Sequence, residues 1–479
     1  MKHAPAVDPF QWPRRAWHAG LLYLSLVFVT ACAAADVAAP SRPASVHTEA
    51  GRPATSRQHQ LASQGYTEQE WRLQGQAQTH AQIGDWAKDG RWTAQATGAA
   101  RPFATRLLVR RPQDPARFNG TVLVEWLNTA LGFDLDGGWV LNRDEILREG
   151  YAWVGVSAEP DSITSLKQMQ PKRYATASIE DVGLSYDIFT QTASVIRQAA
   201  ASWGAPQAPA PKLLALGYSQ SGSYLITYIN ALQPTTRAFD GFYLMSTAAV
   251  GMPIDRDGSR VFNTAYRPDL NAPVIQVSTQ MEVLVGWSLS TTPDTDKLRH
   301  WEMAGATHLD RHMQEEVITL DQPERQLALP HCFKPANTLH SRLFNHAALH
   351  GLREWVWRGT PPPVAPRIGR GRMGFVQDDD LGNAQGGLRM PELDAPLAQY
   401  GMYSNFPTRQ ISVWTAYACM AGGSANPLDG AVLRARFADE QAYIQAYTQA
   451  ADKLLHGGFL RPADHAQLLA RAKSVKLPR

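Results

Sequence analysis

The stretch Lys212-Leu213-Leu214-Ala215-Leu216-Gly217-Tyr218-Ser219-Gln220-Ser221-Gly222 decides how this chain folds. Lys212 to Leu216 reads as a strand buried on both faces, and Ser223 to Leu232 repeats with helical period. A buried strand, a tight turn holding a serine and a following helix form the context of a nucleophile elbow. Such a turn lifts the serine Oγ clear of the sheet, and the helix directs its free N–H groups and positive dipole end at the reacting centre. Small residues two places either side of the serine let strand and helix pass closely, and Gly217 and Ser221 occupy those places around Ser219. The usual pattern has glycine where Ser221 stands, so Ser221 is kept as the alternative nucleophile. Its own flanks, Ser219 and Ser223, lack the glycine that precedes such a turn, which favours Ser219.

Outward from the elbow, short apolar runs alternate with helical patterns. Thr105–Val109, Gly120–Trp126, Ala152–Ser157, Phe242–Ser246 and Pro273–Ser278 read as strands, and Asn142–Glu149 and Ile179–Ala201 as helices. That alternation predicts a mostly parallel central sheet with helices on both faces, with the ligand site at the carboxyl ends of the strands. An elbow on such a sheet is the α/β-hydrolase fold. One large domain is expected over residues 57–479, in which 313–479 includes a C-terminal cap or flanking region with helices near Leu339–Arg358, Phe437–Leu455 and Pro462–Lys473.

A serine hydroxyl at neutral pH needs a neighbouring base, itself oriented by a carboxylate. In this fold the partners follow in the order acid, then histidine. Glu282 comes just after the strand ending at Ser278, and His308 closes the Gly-containing loop after Trp301-Glu302-Met303. Asp310 competes with Glu282 as the acid, although a residue two places from the histidine is poorly placed to reach its Nδ1. The oxyanion needs preorganised donors. One is expected from the backbone N–H of Gln220, the second from Leu127, Asn128 or Thr129 after an earlier strand, with Asn128 carried forward. Neither a metal nor a cofactor is expected. The run Asp378–Asn383 fails the calcium-loop pattern at Gly382 and lacks the closing glutamate, and His308 with His312 has no His-Glu zinc motif.

A charge of +3 from 46 basic and 43 acidic residues, without a dense basic block, excludes nucleic acid as the expected partner. With 44% apolar and 19% charged residues the composition is that of a packed globular protein. No obligate protein partner is inferred. Arg14 and Arg15 precede an apolar core, Leu21–Val29, and then Ala31-Cys32-Ala33, the layout of a secretory signal. Val29-Thr30-Ala31-Cys32 resembles a bacterial lipobox, which makes 1–31 a lipoprotein signal peptide and Cys32 the acylated first residue of the mature chain. Residues 32–56, rich in Ala, Pro, Ser and Thr, read as a flexible tether. Export with lipid anchoring at the periplasmic face of the outer membrane is the expectation, and a soluble periplasmic or secreted protein the alternative. In that compartment Cys332 and Cys419 are expected to pair.

The runs Gly120–Asn128 (GTVLVEWLN), Tyr186–Gln191 (YDIFTQ), Gly217–Gly222 (GYSQSG), Ala304–Asp310 (AGATHLD), Gly382–Pro391 (GNAQGGLRMP) and Gly458–Asp464 (GFLRPAD) resemble a family of bacterial "alpha/beta hydrolase domain" proteins, from about Tyr66 to the C-terminus. A Gly-x-Ser-Gln-Ser-Gly elbow is usual there, so the resemblance implies Ser219 as nucleophile. The function expected is hydrolysis of a small-molecule carboxylic ester through a covalent acyl-enzyme with a Ser219-His308-Glu282 triad. A noncatalytic binding lipoprotein of the same fold and an acyltransferase using the same triad are the alternatives. Mass spectrometry of the mature N-terminus should find acylated Cys32 as first residue; an unmodified terminus beyond Cys32 would refute the anchor.

Overall fold

The computed structural model describes residues 44–285, 292–320, 327–371, 375–405 and 412–477, so the expected signal segment 1–31 and Cys32 lie outside the described residues. One sheet holds nine strands: β1 (Ser45–Glu49), β2 (Tyr66–Ile83), β3 (Thr93–Pro112), β4 (Thr121–Trp126), β5 (Ala152–Val156), β6 (Lys212–Tyr218), β7 (Gly241–Met245), β10 (Val274–Thr279) and β11 (Leu298–Met303). Between β7 and β10 the short strands β8 (Val250–Gly251) and β9 (Val261–Phe262) pair as a separate hairpin. The order in the large sheet is β1-β2-β3-β5-β4-β6-β7-β10-β11. Strands β5, β4, β6, β7, β10 and β11 run parallel, and β1 to β3 add an antiparallel extension at one edge. The fold is the expected α/β-hydrolase.

Every residue of β4, β5, β10 and β11 is buried, as strands covered on both faces require. Alternation along β4 shows the two layers. The Glu125 carboxylate accepts the N–H groups of Gly138 (2.6 Å) and Trp139 (2.9 Å) at the start of helix Gly137–Glu149. The next side chain, Trp126, points the other way and stacks on Tyr224 of helix Gln220–Thr227 at 4.8 Å and against Phe189 of helix Ser185–Ala200 at 5.0 Å. Helix Arg342–Arg358 lies on the Glu125 side, where Tyr243 Oη donates to Asn345 Oδ1 at 2.7 Å.

The chain crosses the sheet to opposite sides of β4 as it forms β5 and then β6, so the sequence order reverses between β4 and β6. Loops leaving the carboxyl ends of these two strands diverge there and leave a crevice. Ser219 follows β6 and the loop beginning at Leu127 follows β4.

Two expectations need revision. The segment assigned to a tether, 32–56, is ordered from residue 44 on: β1 pairs with β2, and Ala54, Thr55 and Ser56 are buried. What holds this stretch is polar: Arg106 Nη1 donates to the Ala54 carbonyl (2.6 Å), Arg106 Nη2 to Thr55 Oγ1 (3.0 Å), and Ser56 Oγ to Glu68 Oε1 (2.5 Å). The long strand β2 was likewise missing from the sequence reading. Its buried positions include Glu68, Glu70 and Arg72, paired with arginines and tyrosines of neighbouring elements, so no apolar alternation marks it.

The expected C-terminal region supplies helices Glu440–His456 and Pro462–Ala472, and one wall element, helix Val413–Gly422. Cys419 on that helix is bonded to Cys332, with Cα atoms 5.5 Å apart across a sequence separation of 87. Crosslinking so long a loop restricts the unfolded chain and stabilises by up to about 4 kcal/mol. Cys332→Ala with Cys419→Ala should therefore lower the denaturation midpoint by a corresponding amount in urea titrations; an unchanged midpoint would show that the bond adds nothing.

Candidate active site

Ser219 joins β6 to helix Gln220–Thr227 with φ 58° and ψ −119°, a backbone region that residues with a Cβ rarely occupy. Holding it there costs roughly 1–3 kcal/mol, and the surroundings supply the compensation. The Ser219 N–H donates to the Met245 carbonyl at 2.9 Å. Asn128 Nδ2 donates to the Tyr218 carbonyl at 2.7 Å. Ser221 Oγ accepts the Tyr218 N–H and donates to the Tyr218 carbonyl, both at 3.0 Å. A Cβ on Gly217 would lie 2.7 Å from Gly222 Cα, and one on Gly222 would lie 1.9 Å from Thr247 Oγ1. The elbow thus needs both glycines and uses the hydroxyl of Ser221 as an internal clamp. Ser221 is fully buried and hydrogen-bonded, whereas Ser219 lines a cavity of about 410 Å³, so the two serines hold different positions in the turn.

Glu282 lies in helix Gln280–Val285 directly after β10, and His308 in the loop after β11. His308 Nδ1 is 2.7 Å from Glu282 Oε1, and both residues line the cavity with Ser219. The other carboxylate oxygen of Glu282 accepts the Thr279 N–H at 2.9 Å and its hydroxyl at 2.5 Å. Burial pushes the Glu282 carboxyl upward, but the His308 ring and the Thr279 donors outweigh it and leave it below the ordinary range. A carboxylate so placed stays ionised and fixes the imidazole through its Nδ1.

The histidine loop is held from several sides. Gln280 ties the acid to it, its N–H donating to the Ala306 carbonyl (3.2 Å) and its Oε1 accepting the Gly305 N–H (2.8 Å). Tyr218 Oη donates to the His308 carbonyl at 2.5 Å, and the His308 ring sits 5.2 Å from the Tyr218 ring and 6.3 Å from that of Tyr417. Asp310 does not compete as the acid. It caps helix Arg311–Ile318 by accepting the Met313 N–H at 2.9 Å, and burial pushes its carboxyl up to about 6.

On the oxyanion side, Gln220 opens its helix, so its backbone N–H belongs to the set with no intrahelical partner. Asn128 is corrected as the second donor. Its N–H bonds the Leu135 carbonyl at 3.1 Å, Leu127 N–H bonds Val156, and Ala130 N–H bonds Asn128 Oδ1 at 2.8 Å. Of the three residues considered, Thr129 remains, and its Oγ1 lies 3.3 Å from Gln220 Oε1, which draws this loop to the elbow. The sequence could not separate these residues, because the reciprocal Asn128–Leu135 bridge depends on how the loop folds back. Its far limb is clamped by buried charges: Arg106 Nη2 to Asp134 (2.8 Å), and Arg57 Nε and Arg110 Nη1 to Asp136 (2.9 and 2.7 Å).

Sequence reasoning also missed Thr279, Tyr218 and Tyr417 as neighbours of the acid and the histidine. Tyr218 stands inside the elbow and Tyr417 two residues before a paired cysteine, and neither position carries a chemical signature. Asp379 Oδ1 caps a turn by accepting the N–H groups of Leu381 and Asn383. Among the described residues one acidic set, Glu145, Glu149 and His350, brings ligand atoms within 4.8 Å, and the Arg461 guanidinium lies on both carboxylates at 3.2 and 3.0 Å. A cation already occupies that position.

A serine elbow on a parallel sheet, with a carboxylate and a histidine delivered after the last two strands of that sheet, defines an α/β-hydrolase. The family model described as "Alpha/beta hydrolase domain" matches residues 37–470, and the chain belongs to that family. No curated protein matches the sequence. Among solved structures the chain is similar to a glucuronoyl esterase from Solibacter usitatus (13% identity, 58% of this chain and 86% of that one, TM-score 0.33). It is also similar to an esterase of the fungus Rhizomucor miehei (12%, 62% and 88%, TM-score 0.33) and to a Pyrobaculum calidifontis esterase (13%, 42% and 72%, TM-score 0.26).

The acid assignment can be checked by exchange. Glu282→Gln should keep the fold and lower kcat by about 10⁴, the scale seen when a triad acid no longer orients its histidine. Asp310→Asn, which preserves the helix cap, should retain most activity. The reverse ranking in steady-state kinetics would overturn the assignment.

Proposed function

We propose that the protein hydrolyses a small-molecule carboxylic ester through a covalent acyl-enzyme. The observation that carries this reading is the convergence of Ser219, on its positive-φ elbow, with the hydrogen-bonded His308–Glu282 pair on one cavity. In the reaction Ser219 Oγ attacks the ester carbonyl and its proton passes to His308 Nε2, while the Nδ1–H stays on the ring and is donated to Glu282 Oε1. Charge arising on the carbonyl oxygen is met by the Gln220 and Thr129 N–H groups, which need no reorganisation at that moment. Breaking the C–O bond returns the proton from Nε2 to the leaving alkoxide. Water then repeats the sequence on the acyl-enzyme and frees the acid and Ser219.

The environment suits this division of labour. Glu282 stays anionic because its pKa is depressed, so it keeps accepting the Nδ1–H of His308 and holds the imidazole in place. The cavity wall is largely apolar, with Ala248, Val250, Met252 and Met281, which favours an uncharged ester group at the reacting centre. Export and anchoring through acylated Cys32 complete the proposal, supported by the lipobox-like run Val29–Cys32. Protein lacking residues 1–32 should hydrolyse short aryl esters and be labelled by a fluorophosphonate at Ser219, and Ser219→Ala should abolish both. Ser221→Ala should keep labelling at Ser219 while losing about 1–3 kcal/mol of stability, because the buried Tyr218 N–H and carbonyl lose their clamp. Folded wild-type protein that resists the probe would refute the catalytic reading.

A further inference from the structure

Beyond the acid and histidine pair, the lining of the cavity contains, among the described residues, one more charged side chain, Arg260. It is delivered by the β8–β9 hairpin, which follows β7 at the carboxyl edge of the sheet. Val250 pairs with Phe262 across this hairpin, and Arg260 lies in the connection immediately before β9. All three line the cavity, so one face of the insertion is turned toward Ser219.

Other arginines nearby are neutralised. Arg256, four residues earlier, reaches Asp181 at 3.9 Å and the Glu180 carbonyl at 3.3 Å, and Arg267 binds Asp269 at 2.8 Å. Arg260 makes no ion pair or hydrogen bond among the described residues. The cavity offers it no free carboxylate, since Glu282 is bonded to His308 and Thr279. An unneutralised guanidinium beside apolar walls attracts an anion more strongly than it would in open solvent, and its planar donors match a carboxylate in two-point contact.

We propose that Arg260 is a specificity residue that selects esters carrying a carboxylate remote from the scissile bond, with an apolar stretch between the two lying along Val250, Met252 and Phe262. This rests on the reading of Ser219 as the ester-cleaving nucleophile. The anion can belong to the acyl part, as in the half-ester of a dicarboxylic acid, or to the alcohol part, as in the ester of a hydroxy acid; the recognition chemistry is shared.

Three esters separate the cases: 4-nitrophenyl butyrate, which is neutral, mono-(4-nitrophenyl) adipate, with the carboxylate on the acyl side, and 4-(butyryloxy)benzoate, with it on the alcohol side. For at least one anionic ester, the ratio of its kcat/KM to that of the neutral ester should fall tenfold or more in Arg260→Gln, mainly through KM. It should fall further in Arg260→Glu, recover in part in Arg260→Lys, and shrink in the wild type as ionic strength rises. The responding ester locates the anion. Thermal melts of the variants should match the wild type, because Arg260 is exposed and holds no other residue. Ratios that stay the same in wild type, Gln and Glu variants for both anionic esters, with the butyrate still hydrolysed, overturn this proposal and leave the hydrolase reading standing. A wild type that cleaves none of the three and resists the fluorophosphonate overturns both.

Discussion

The structure is organised around a single backbone constraint, the positive φ of Ser219. A residue with a Cβ is held in that region only where its neighbours leave no alternative. Here the neighbours come from three places in the sequence: Met245 and Thr247 at and just beyond the end of β7, Asn128 from the loop after β4, and Ser221 in the first turn of the helix. The contacts from Met245, Thr247 and Asn128 require β4, β6 and β7 to be in register. The elbow is therefore a reporter of the whole parallel sheet rather than a local turn.

The same logic extends to the Glu282–His308 pair. Glu282 and His308 leave adjacent parallel strands, β10 and β11, so their loops emerge side by side and a 2.7 Å contact needs no long reach. Two aromatic rings then limit the freedom of the imidazole. One of them, Tyr417, is carried by the helix that the Cys332–Cys419 bond crosslinks to the preceding segment. The pocket wall farthest in sequence from the elbow is thus fixed covalently as well as by hydrogen bonds such as Gln314 Nε2 to the Ala418 carbonyl and Leu309 N–H to the Ala421 carbonyl.

The central parallel strands, and the three residues Ser219, Glu282 and His308 that line one cavity, were legible in the sequence, because apolar runs, the Gly217-Tyr218-Ser219 turn and the order of a carboxylate and a histidine after late strands are properties of local sequence. The helix preceding β5 begins at Gly137, five residues before the sequence pattern placed it, since Gly137 and Gly138 hide a helix start that exists because Glu125 accepts its N–H groups. Strands β1 and β2 were not legible at all. Strand β1 is largely exposed, and the inward positions of β2 carry Glu68, Glu70 and Arg72, which look like solvent-facing residues until their partners are known. The choice among Leu127, Asn128 and Thr129 failed for a related reason: which N–H is free depends on a bridge between Asn128 and Leu135, and composition says nothing about it.

Those buried charges have a consequence for how the molecule can change over generations. Arg57, Arg106 and Arg110 are fully enclosed together with Asp134 and Asp136. Removing one member of such a set strands a charge in the interior at a cost of about 3–5 kcal/mol, whereas exchanging the partners together for well-packed apolar residues can be close to neutral. Single substitutions at these sites are thus closed to drift, and compensated double substitutions are open to it. Because Asp134 and Asp136 hold the far limb of the loop that carries Thr129, the N-terminal strap and this loop should diverge as a unit, their identities correlated across relatives even where the elbow itself stays the same.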